Sequence, residues 1–409
     1  MIFIKKKFLF SLVICAFMLC HFPLSAQESI LSSYERNFIR ASLSAKSRIL
    51  IDAALDERSG EFLASLYDTA LNFVLANGQF LRDDPDMISL VATVARGIAA
   101  AGKASYTAAG AGSANSVNKL WALFQMFSDP YTRVEILGGL ASMGKDNREL
   151  IGNLNKFLSD ENAAFRRASL NQTAGPEYPV TLACISALGM LGDGSSFPVL
   201  FTAMMAGYPQ AIIQESLKAM EAIQGNYKEY LVDIIKKNPF PEKAAAFRIG
   251  AYNERFSAPE RGELAQAALE VSLENSGPAE LSLRYDSITV LTRLQWSPAT
   301  PFVIRNFHKV YSDYSGGIAA RDRLVEAINC LGVMSSSEAA QVLALQLGLF
   351  NSQTEKTGIY DDTIILAIIN SLGELADKAA FDNLLYIGYL NYPDKIQSAA
   401  REALARLKW

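Results

Sequence analysis

Two stretches of the chain have the residue spacing of a phosphate-binding loop, in which a glycine and four further residues precede Gly-Lys. The two copies end at Gly102-Lys103 and Gly144-Lys145. A phosphate loop opens a helix, so that N–H groups and the positive end of the helix dipole face the phosphate. Both stretches here instead follow helical patterns, and Ala104 and Asp146 stand where the loop requires Ser or Thr. We therefore expect the two glycines to end helices rather than to bind a nucleotide.

Other residue types that carry chemistry are few and far apart. Beyond residue 26 the chain has one histidine, His308, and two cysteines, Cys184 and Cys330. These three residues cannot supply the four ligands of a structural zinc site. We expect the histidine to lie at the surface, and both cysteines to lie in the core without bonding to each other.

Acidic residues give no clear catalytic pattern either. Asp361-Asp362 precedes the apolar run TIILAII, and acids in a first helical turn complement the helix dipole, so we expect a cap rather than a metal site. The sequence contains no Ser-His-Asp order, no H-E-x-x-H and no paired C-x-x-C. We expect no catalytic residue, no cofactor and no metal, and we interpret the protein as a non-enzyme.

The first residues have the pattern of a secretory signal peptide. Lys5–Lys7 precede an apolar run from Phe8 to about Leu19, and a small-residue exit ends at Ala26. Such a run is too short to span a membrane. We expect cleavage after Ala26 and a periplasmic or secreted protein. A lipoprotein is the alternative, although neither cysteine in this segment follows a small residue.

Charge limits the classes of partner. Cleavage removes three lysines and no acids from 38 basic and 42 acidic residues, so the net charge falls from −4 to −7. An acidic protein offers no case for nucleic acid or for an anionic membrane surface. We expect protein partners, no membrane span and no small-molecule substrate.

The remaining sequence predicts an all-α protein with an internal repeat. Alternating strand patterns are absent, whereas apolar residues recur at the helical period. The segment GYPQAIIQESLKAMEAIQ from Gly207 matches NYPDKIQSAAREALARLK from Asn391, with Tyr208-Pro209 and Tyr392-Pro393 at an offset of 184 residues. Both segments predict an amphipathic helix that begins next to a proline.

A second recurring signal predicts joints between helices. ALGMLGD, AINCLGV and SLGELAD each combine small residues with a glycine or aspartate suited to ending one helix and capping the next. Their spacing, about 32 to 48 residues, is that of paired-helix repeats. The aligned joints place repeat anchors at Ile98, Leu140, Leu188, Met220, near Gly250, and at Leu291, Ile328, Leu372 and Leu404.

The joint ALGMLGD, followed by an amphipathic helix, a proline-containing turn and a second helix, resembles the HEAT-repeat family, particularly its bacterial HEAT-like members. The resemblance covers roughly Asp86 to Trp409. It implies an α-solenoid, a superhelical stack of about eight or nine pairs of antiparallel helices. The expected organisation is a signal peptide at 1–26, a helical N-terminal cap or degenerate repeat at 27–84, and a HEAT-like solenoid at 85–409.

Long connections predict a partner-binding edge. Three of them, RASLNQTAGPEYP, YSDYSGG and FNSQTEKTGIYDD, lie between the first and second helices of their repeats, where loops of a solenoid line up. Tyrosines gather there, and tyrosine is enriched in binding hot spots. Tyr178, Tyr208 and Tyr392 are instead expected to pack on their own helices. The predicted partner-binding rim consists of Tyr311, Tyr314, Tyr360, Arg166 and Arg167.

The sequence thus predicts an exported, non-catalytic, protein-binding scaffold. Two alternatives stay open at this point. One is a lyase-like enzyme, since some bacterial HEAT-like proteins that this chain resembles are chromophore lyases. The other is a structural subunit of an envelope assembly.

Overall fold

The computed structural model describes residues 22–56, 58–110, 113–171, 178–275 and 277–408, with side chains from residue 30 onward. Within these ranges the protein is all-α, as the sequence predicts, and the single β-bridge joins Asp377 to Lys408. The predicted signal segment lies outside the described residues except for its last five, which belong to the first helix. Asn171 to Thr173, part of the first predicted long loop, lies at the edge of an undescribed segment.

Twenty α-helices occupy the described residues. In the first half they are α1 Phe22–Arg40, α2 Leu43–Leu55, α3 Gly60–Gly78, α4 Pro85–Ala108, α5 Ser113–Met126, α6 Pro130–Met143, α7 Arg148–Asn171, α8 Tyr178–Leu191, α9 Phe197–Met205 and α10 Gln210–Ala222. In the second half they are α11 Lys228–Lys237, α12 Phe240–Ala251, α13 Ala258–Ser272, α14 Pro278–Leu294, α15 Thr300–Ser315, α16 Arg321–Gly332, α17 Ser337–Thr357, α18 Asp362–Leu375, α19 Phe381–Tyr386 and α20 Asp394–Arg406.

The helices form two compact units, one ending at Asn226 and the other beginning at Tyr227. In each unit an odd-numbered helix packs on the even-numbered helix that follows it, and each such pair packs on the next pair. Odd-numbered helices contact odd-numbered neighbours and even-numbered helices contact even-numbered neighbours, which gives each unit two layers of helices. We call the odd-numbered helices the first layer and the even-numbered helices the second layer. The described residues contain ten pairs rather than the eight or nine expected, because α1 with α2, and α3 with α4, form ordinary pairs at the N-terminal end.

The offset of 184 residues seen in the sequence is also a structural repeat. Asp193 and Asp377 each accept the backbone N–H two residues later at 2.8 Å and so begin a short 3₁₀ turn. The residue before each aspartate has a left-handed backbone, with φ of +67° at Gly192 and +54° at Ala376. The segment from α8 to α10 and the segment from α18 to α20 therefore follow the same path locally.

Close helix packing uses small residues at the same repeat positions. A Cβ added at Gly189 of α8 would lie 2.9 Å from the Cα of Ala219 on α10, and one added at Gly373 would lie 3.2 Å from the Cβ of Ala403. Even-numbered helices approach each other here too closely for a larger residue. The predicted repeat anchors lie in this layer and are buried, except Leu404, which is half-buried because Ala403 takes the buried position beside it.

A side chain four residues after the N-cap often closes the end of the preceding helix. Lys46 donates to the carbonyls of Phe38 and Ile39, and Lys243 donates to those of Ile235 and Lys236 at 2.7 and 2.8 Å. Arg133 likewise donates to the carbonyl of Phe127, and Gln397 donates to those of Leu390 and Tyr392. The last carbonyls of a helix have no partner within it, and cations there also complement the dipole. Burial lowers the pKa of both lysines.

The predicted long loops are mostly helix, which corrects the sequence interpretation. α7 continues through Arg166 and Arg167, α15 continues through Tyr311 and Tyr314, and FNSQTEKT forms the last two turns of α17. A polar composition is typical both of loops and of exposed helical turns, so the sequence pattern does not distinguish the two. A helix needs apolar side chains only on the face that it buries. A first-layer helix can therefore continue with polar residues beyond that buried part.

The phosphate-loop outlines end helices in one case and kink a helix in the other. Gly144 caps α6 by donating its N–H to Leu140 O at 2.8 Å, as expected. Gly102 has φ +72° and ψ +167°, outside the helical region, so the regular helix from Pro85 ends at this residue, as predicted, and a second helical segment of α4 follows the kink and runs to Ala108. Lys103 donates to the backbone carbonyl of Lys145 at 2.9 Å, which ties the two outlines together.

Among the described helices, α4 alone is long and apolar enough to cross a membrane. Its apolar residues, such as Leu90, Val94 and Ile98, are completely buried against α2, α3 and α6. Burial of these side chains against neighbouring helices is typical of a core helix.

Candidate functional site

An aromatic groove lies between two first-layer helices of the N-terminal unit, α5 and α7. It contains a cavity of about 400 Å³, and a second cavity of about 250 Å³ shares Trp121 and Asn153 with it. Pockets of this volume are in the range that holds small ligands or peptide side chains. We call this surface the α5/α7 groove. It is lined on α5 by Val117, Asn118, Trp121, Phe124 and Gln125, on α7 by Glu149, Leu150, Asn153, Lys156, Phe157 and Asp160, and at one end by Arg133.

Helical periodicity explains how the groove is built. On each helix the lining residues recur at intervals of three or four, which places them on one face of the helix. A stripe of nine residues on α5 is roughly 12 Å long and one of twelve residues on α7 is roughly 16 Å long, at about 1.5 Å per residue. The groove can therefore hold an elongated ligand lying along the helices.

Three aromatic rings form the floor of the groove. Trp121 stacks on Phe124 with ring centroids 5.1 Å apart and an interplanar angle of 16°, and Phe157 meets Phe124 edge-on at 5.0 Å. Phe124 is buried, whereas Trp121 and Phe157 are half-buried. The buried ring thus supports two partly exposed rings in fixed orientations, which lowers the entropy cost of using them for binding.

Arg133 connects the aromatic floor to the end of α5. Its Nε donates to the carbonyl of Phe127 at 2.8 Å, and its guanidinium lies 5.0 Å from the centroid of the Phe124 ring. These two contacts hold the side chain in place. The guanidinium is consequently a positioned cation at the end of the larger cavity.

The rest of the lining is polar and mixed in charge. Lys156 and Asp160 are exposed on α7 and form no ion pair within the described residues, and Glu149 lines the smaller cavity. The larger cavity has two cations against one carboxylate, in a chain whose overall charge is negative. No group of three or more His, Cys, Asp or Glu suited to a metal ion occurs in the described part of the chain.

Two of the three tyrosines of the predicted rim make aromatic contacts inside the C-terminal unit. Tyr311 is half-buried, with its ring centroid 6.2 Å from Phe307 and 6.1 Å from Phe350. Tyr360 meets Tyr392 edge-on at 5.0 Å, and Tyr314 is half-buried. Tyr311 and Tyr360 therefore pack against neighbouring aromatic rings, and their part in partner binding stays a prediction.

The arginines of the predicted rim lie elsewhere. Arg166 and Arg167 are exposed on α7, beyond the last residue that lines the groove. They belong to the N-terminal unit, whereas the three rim tyrosines belong to the C-terminal unit. Tyr208 and Tyr392 are buried, and Tyr178, although 43% exposed, has its ring centroid 6.3 Å from those of Phe165 and Tyr208.

The isolated chemistry-bearing residues have the structural roles that the sequence predicts. Cys184 and Cys330 are free and buried, and burial raises the pKa of the Cys330 thiol to about 12 and that of Cys184 further. His308 is exposed. Asp361 caps α18 by accepting the N–H groups of Thr363 and Ile364 at 2.9 and 3.2 Å.

Sequence analysis missed the α5/α7 groove. Its signal was available in the run WALFQMF and in NKF, where aromatic residues stand beside amides and cations at helical spacing. The same pattern is typical of a buried helix face, and only the packing of α5 against α7 distinguishes a groove from a core.

Comparisons with known proteins do not identify the chain. No protein family matches it, and no curated protein matches it. Among solved structures it is similar to an engineered protein from a structural genomics consortium, with 14% sequence identity and a TM-score of 0.37. That match covers 92% of this chain and 98% of the other. A likeness at this level says nothing about function.

Proposed function

We propose that the protein is an exported, non-catalytic scaffold of HEAT-like repeats, an α-solenoid that binds a protein partner through the N-terminal unit. The observation that carries the proposal is the α5/α7 groove. Trp121, Phe157 and Arg133 stand together there as partly exposed side chains held by packing. Tryptophan and arginine are the residue types most enriched in binding hot spots.

Rigid helices favour such a site. Each wall of the groove is one helix, so the lining residues are fixed relative to one another by backbone hydrogen bonds rather than by loop conformation. A partner that fills the two cavities would bury the exposed parts of both rings. Burial of aromatic area, together with a positioned cation, is the usual source of affinity at an interface.

Affinity capture tests the proposal directly. The tagged mature chain is incubated with the envelope fraction of its own cells, and bound proteins are identified by mass. We expect one protein to be retained by the wild type and lost with Trp121→Ala, while Tyr314→Ser and the double variant of Arg166 and Arg167 to Ser retain it. Retention by the groove variant with loss from the rim variants would assign binding to the predicted rim instead.

Export has its own test, because the proposal includes a cleavable signal peptide. Amino-terminal sequencing of the protein recovered from cells should begin at Gln27. A chain that still carries Lys5–Lys7, or one that is found in the cytoplasmic fraction, contradicts the proposed location without affecting the binding site.

A further inference from the structure

The polar lining of the α5/α7 groove indicates what kind of segment binds there. Three amide side chains, Asn118, Gln125 and Asn153, line the two cavities, and none of them hydrogen-bonds to another residue in the part of the chain that the structure describes. An amide side chain carries one acceptor and a donor group side by side. In an extended chain the N–H and the C=O of one residue point to the same side, so each amide can donate to the carbonyl and accept from the N–H of that residue.

The shape of the groove agrees with an extended segment. The two cavities share Trp121 and Asn153, so they form one elongated site that continues on both sides of the indole. An extended chain advances about 3.3 Å per residue, so roughly three to five residues match the length of the helical stripes. Trp121 lies where the two cavities meet and Phe157 lines the larger one, so both rings can contact an apolar side chain of the segment.

The charged side chains of the groove indicate which kind of residue stands beside the apolar residue of the bound segment. Lys156 is exposed, and Arg133 is held over Phe124 through its Nε bond to Phe127 O, which leaves the guanidinium terminus facing the larger cavity that it lines. Asp160 and Glu149 lie in the same groove, so a densely anionic ligand such as a polyphosphate would meet two carboxylates. A ligand with a single carboxylate next to an apolar side chain can pair with the cations without bringing a high negative charge close to the two carboxylates.

We propose that the α5/α7 groove binds an extended internal segment of a partner protein in which an aromatic or large aliphatic residue stands beside a glutamate or aspartate. The inference rests on the proposed protein-binding function and specifies its ligand. The segment's apolar side chain lies on Trp121 and Phe157, its carboxylate lies between Arg133 and Lys156, and its peptide groups bond to the amides.

Defined peptides test the inference by calorimetric titration of the full chain. The probes are acetylated, amidated pentapeptides with a central phenylalanine flanked by glutamates, the same peptide with lysines for glutamates, and the same peptide with alanine for phenylalanine. We expect the glutamate–phenylalanine peptide to bind at least tenfold more tightly than the other two. Its binding should also change the fluorescence of Trp121, and Trp121→Phe should remove that change.

Charge reversal separates a ligand contact from a structural role. Lys156→Glu should weaken the glutamate peptide about tenfold and strengthen the lysine peptide, because reversal replaces an attraction by a repulsion. Lys395→Glu, a matched exposed lysine in the C-terminal unit, should change neither. A merely destabilised variant cannot produce opposite changes for two peptides.

Three results would overturn the inference. One is equal binding of the glutamate and lysine peptides to both the wild type and Lys156→Glu. Another is binding of chitotriose, a saccharide with similar needs for donors and acceptors, when no peptide binds. The third is capture of a protein partner that Trp121→Ala and Lys156→Glu leave unchanged, which contradicts the groove but leaves the scaffold function in place. Failure of the wild type to capture any protein would contradict the scaffold function itself.

Discussion

Tyr208 and Tyr392, 184 residues apart, make equivalent bonds across their repeats. The hydroxyl of Tyr208 donates to the carbonyl of Glu161 on α7 at 3.1 Å, and that of Tyr392 bonds to Asn351 Oδ1 and to Thr354 on α17 at 3.2 and 2.9 Å. Each tyrosine precedes the last helix of its unit and joins that helix to the first-layer helix of the preceding pair. A buried asparagine beside it donates to the next first-layer helix, Asn162 to Val199 O and Asn351 to Asn383 O.

Loss of the Tyr392 hydroxyl should destabilise the C-terminal unit. Tyr392→Phe leaves Asn351 Oδ1 buried without its partner, so we expect a loss of about 1–3 kcal/mol of unfolding free energy. Tyr208→Phe frees only a backbone carbonyl and should cost less, about 0.5–1.5 kcal/mol. Urea unfolding measures both, with Tyr389→Phe as the control because that side chain is 77% exposed. Equal stability of Tyr392→Phe and the control would show that the bond contributes nothing.

Two glycine substitutions should have opposite signs. At Gly189 a new Cβ would lie 2.9 Å from Ala219, so Gly189→Ala must separate α8 from α10 and should destabilise by about 1–3 kcal/mol, as other overpacked sites do. Gly152 lies inside α7 with nothing within 4 Å of its Cβ position, and Gly152→Ala should stabilise by about 0.5–1 kcal/mol because alanine favours the helix. The melting temperatures of the two variants should therefore move in opposite directions, and a rise for Gly189→Ala would mean that the helices are farther apart than described.

Lys243 should matter more than its exposed neighbours on α11. Lys243→Met keeps most of the apolar stem but removes the donor to two carbonyls at the end of α11, which should cost about 1–3 kcal/mol. Lys237→Met breaks an exposed pair with Asp233 and should cost less than about 0.5 kcal/mol. Denaturant unfolding of the two variants distinguishes a helix cap from a surface charge, and equal losses would argue against the cap.

The buried cysteines should make the protein less stable in alkali. Burial raises the pKa of the Cys330 thiol from 9.0 to about 12, so the folded state keeps a proton that the unfolded state loses above pH 9. The stabilisation is complete below pH 9 and is lost as the pH rises towards the folded-state pKa, by roughly 1–2 kcal/mol per thiol at pH 10. Cys330→Ala lowers stability at every pH through its cavity, but its loss between pH 7.5 and pH 10 should be smaller than that of the wild type. Parallel pH profiles would mean that the thiol is accessible when folded.

Sequence patterns predict the fold of this protein well because the fold repeats. Turn chemistry at Asp193 and Asp377, and close packing at Gly189 and Gly373, impose the same residue types at each repeat. Repetition makes such constraints visible within a single sequence. The all-α class and the helix–joint–helix order follow from them.

The binding surface follows less readily, for two reasons. Polar helix ends and polar loops have the same composition, so Tyr311 and Arg166 were assigned to loops although both lie in helices. In addition, Trp121 and Phe157 are 36 residues apart and meet only through Phe124. Contacts between neighbouring repeats depend on how the helices pack, which no local sequence pattern predicts.

Photo-crosslinking from the groove tests the central claim most directly. A benzophenone amino acid replaces Trp121 in one variant of the full chain and the exposed residue Leu345 of α17 in a second, and both are irradiated with the envelope fraction. If the groove binds the partner, position 121 should give one discrete protein adduct, competed by the glutamate–phenylalanine peptide, and position 345 should give none. An adduct from position 345 without one from position 121 would contradict binding in the groove.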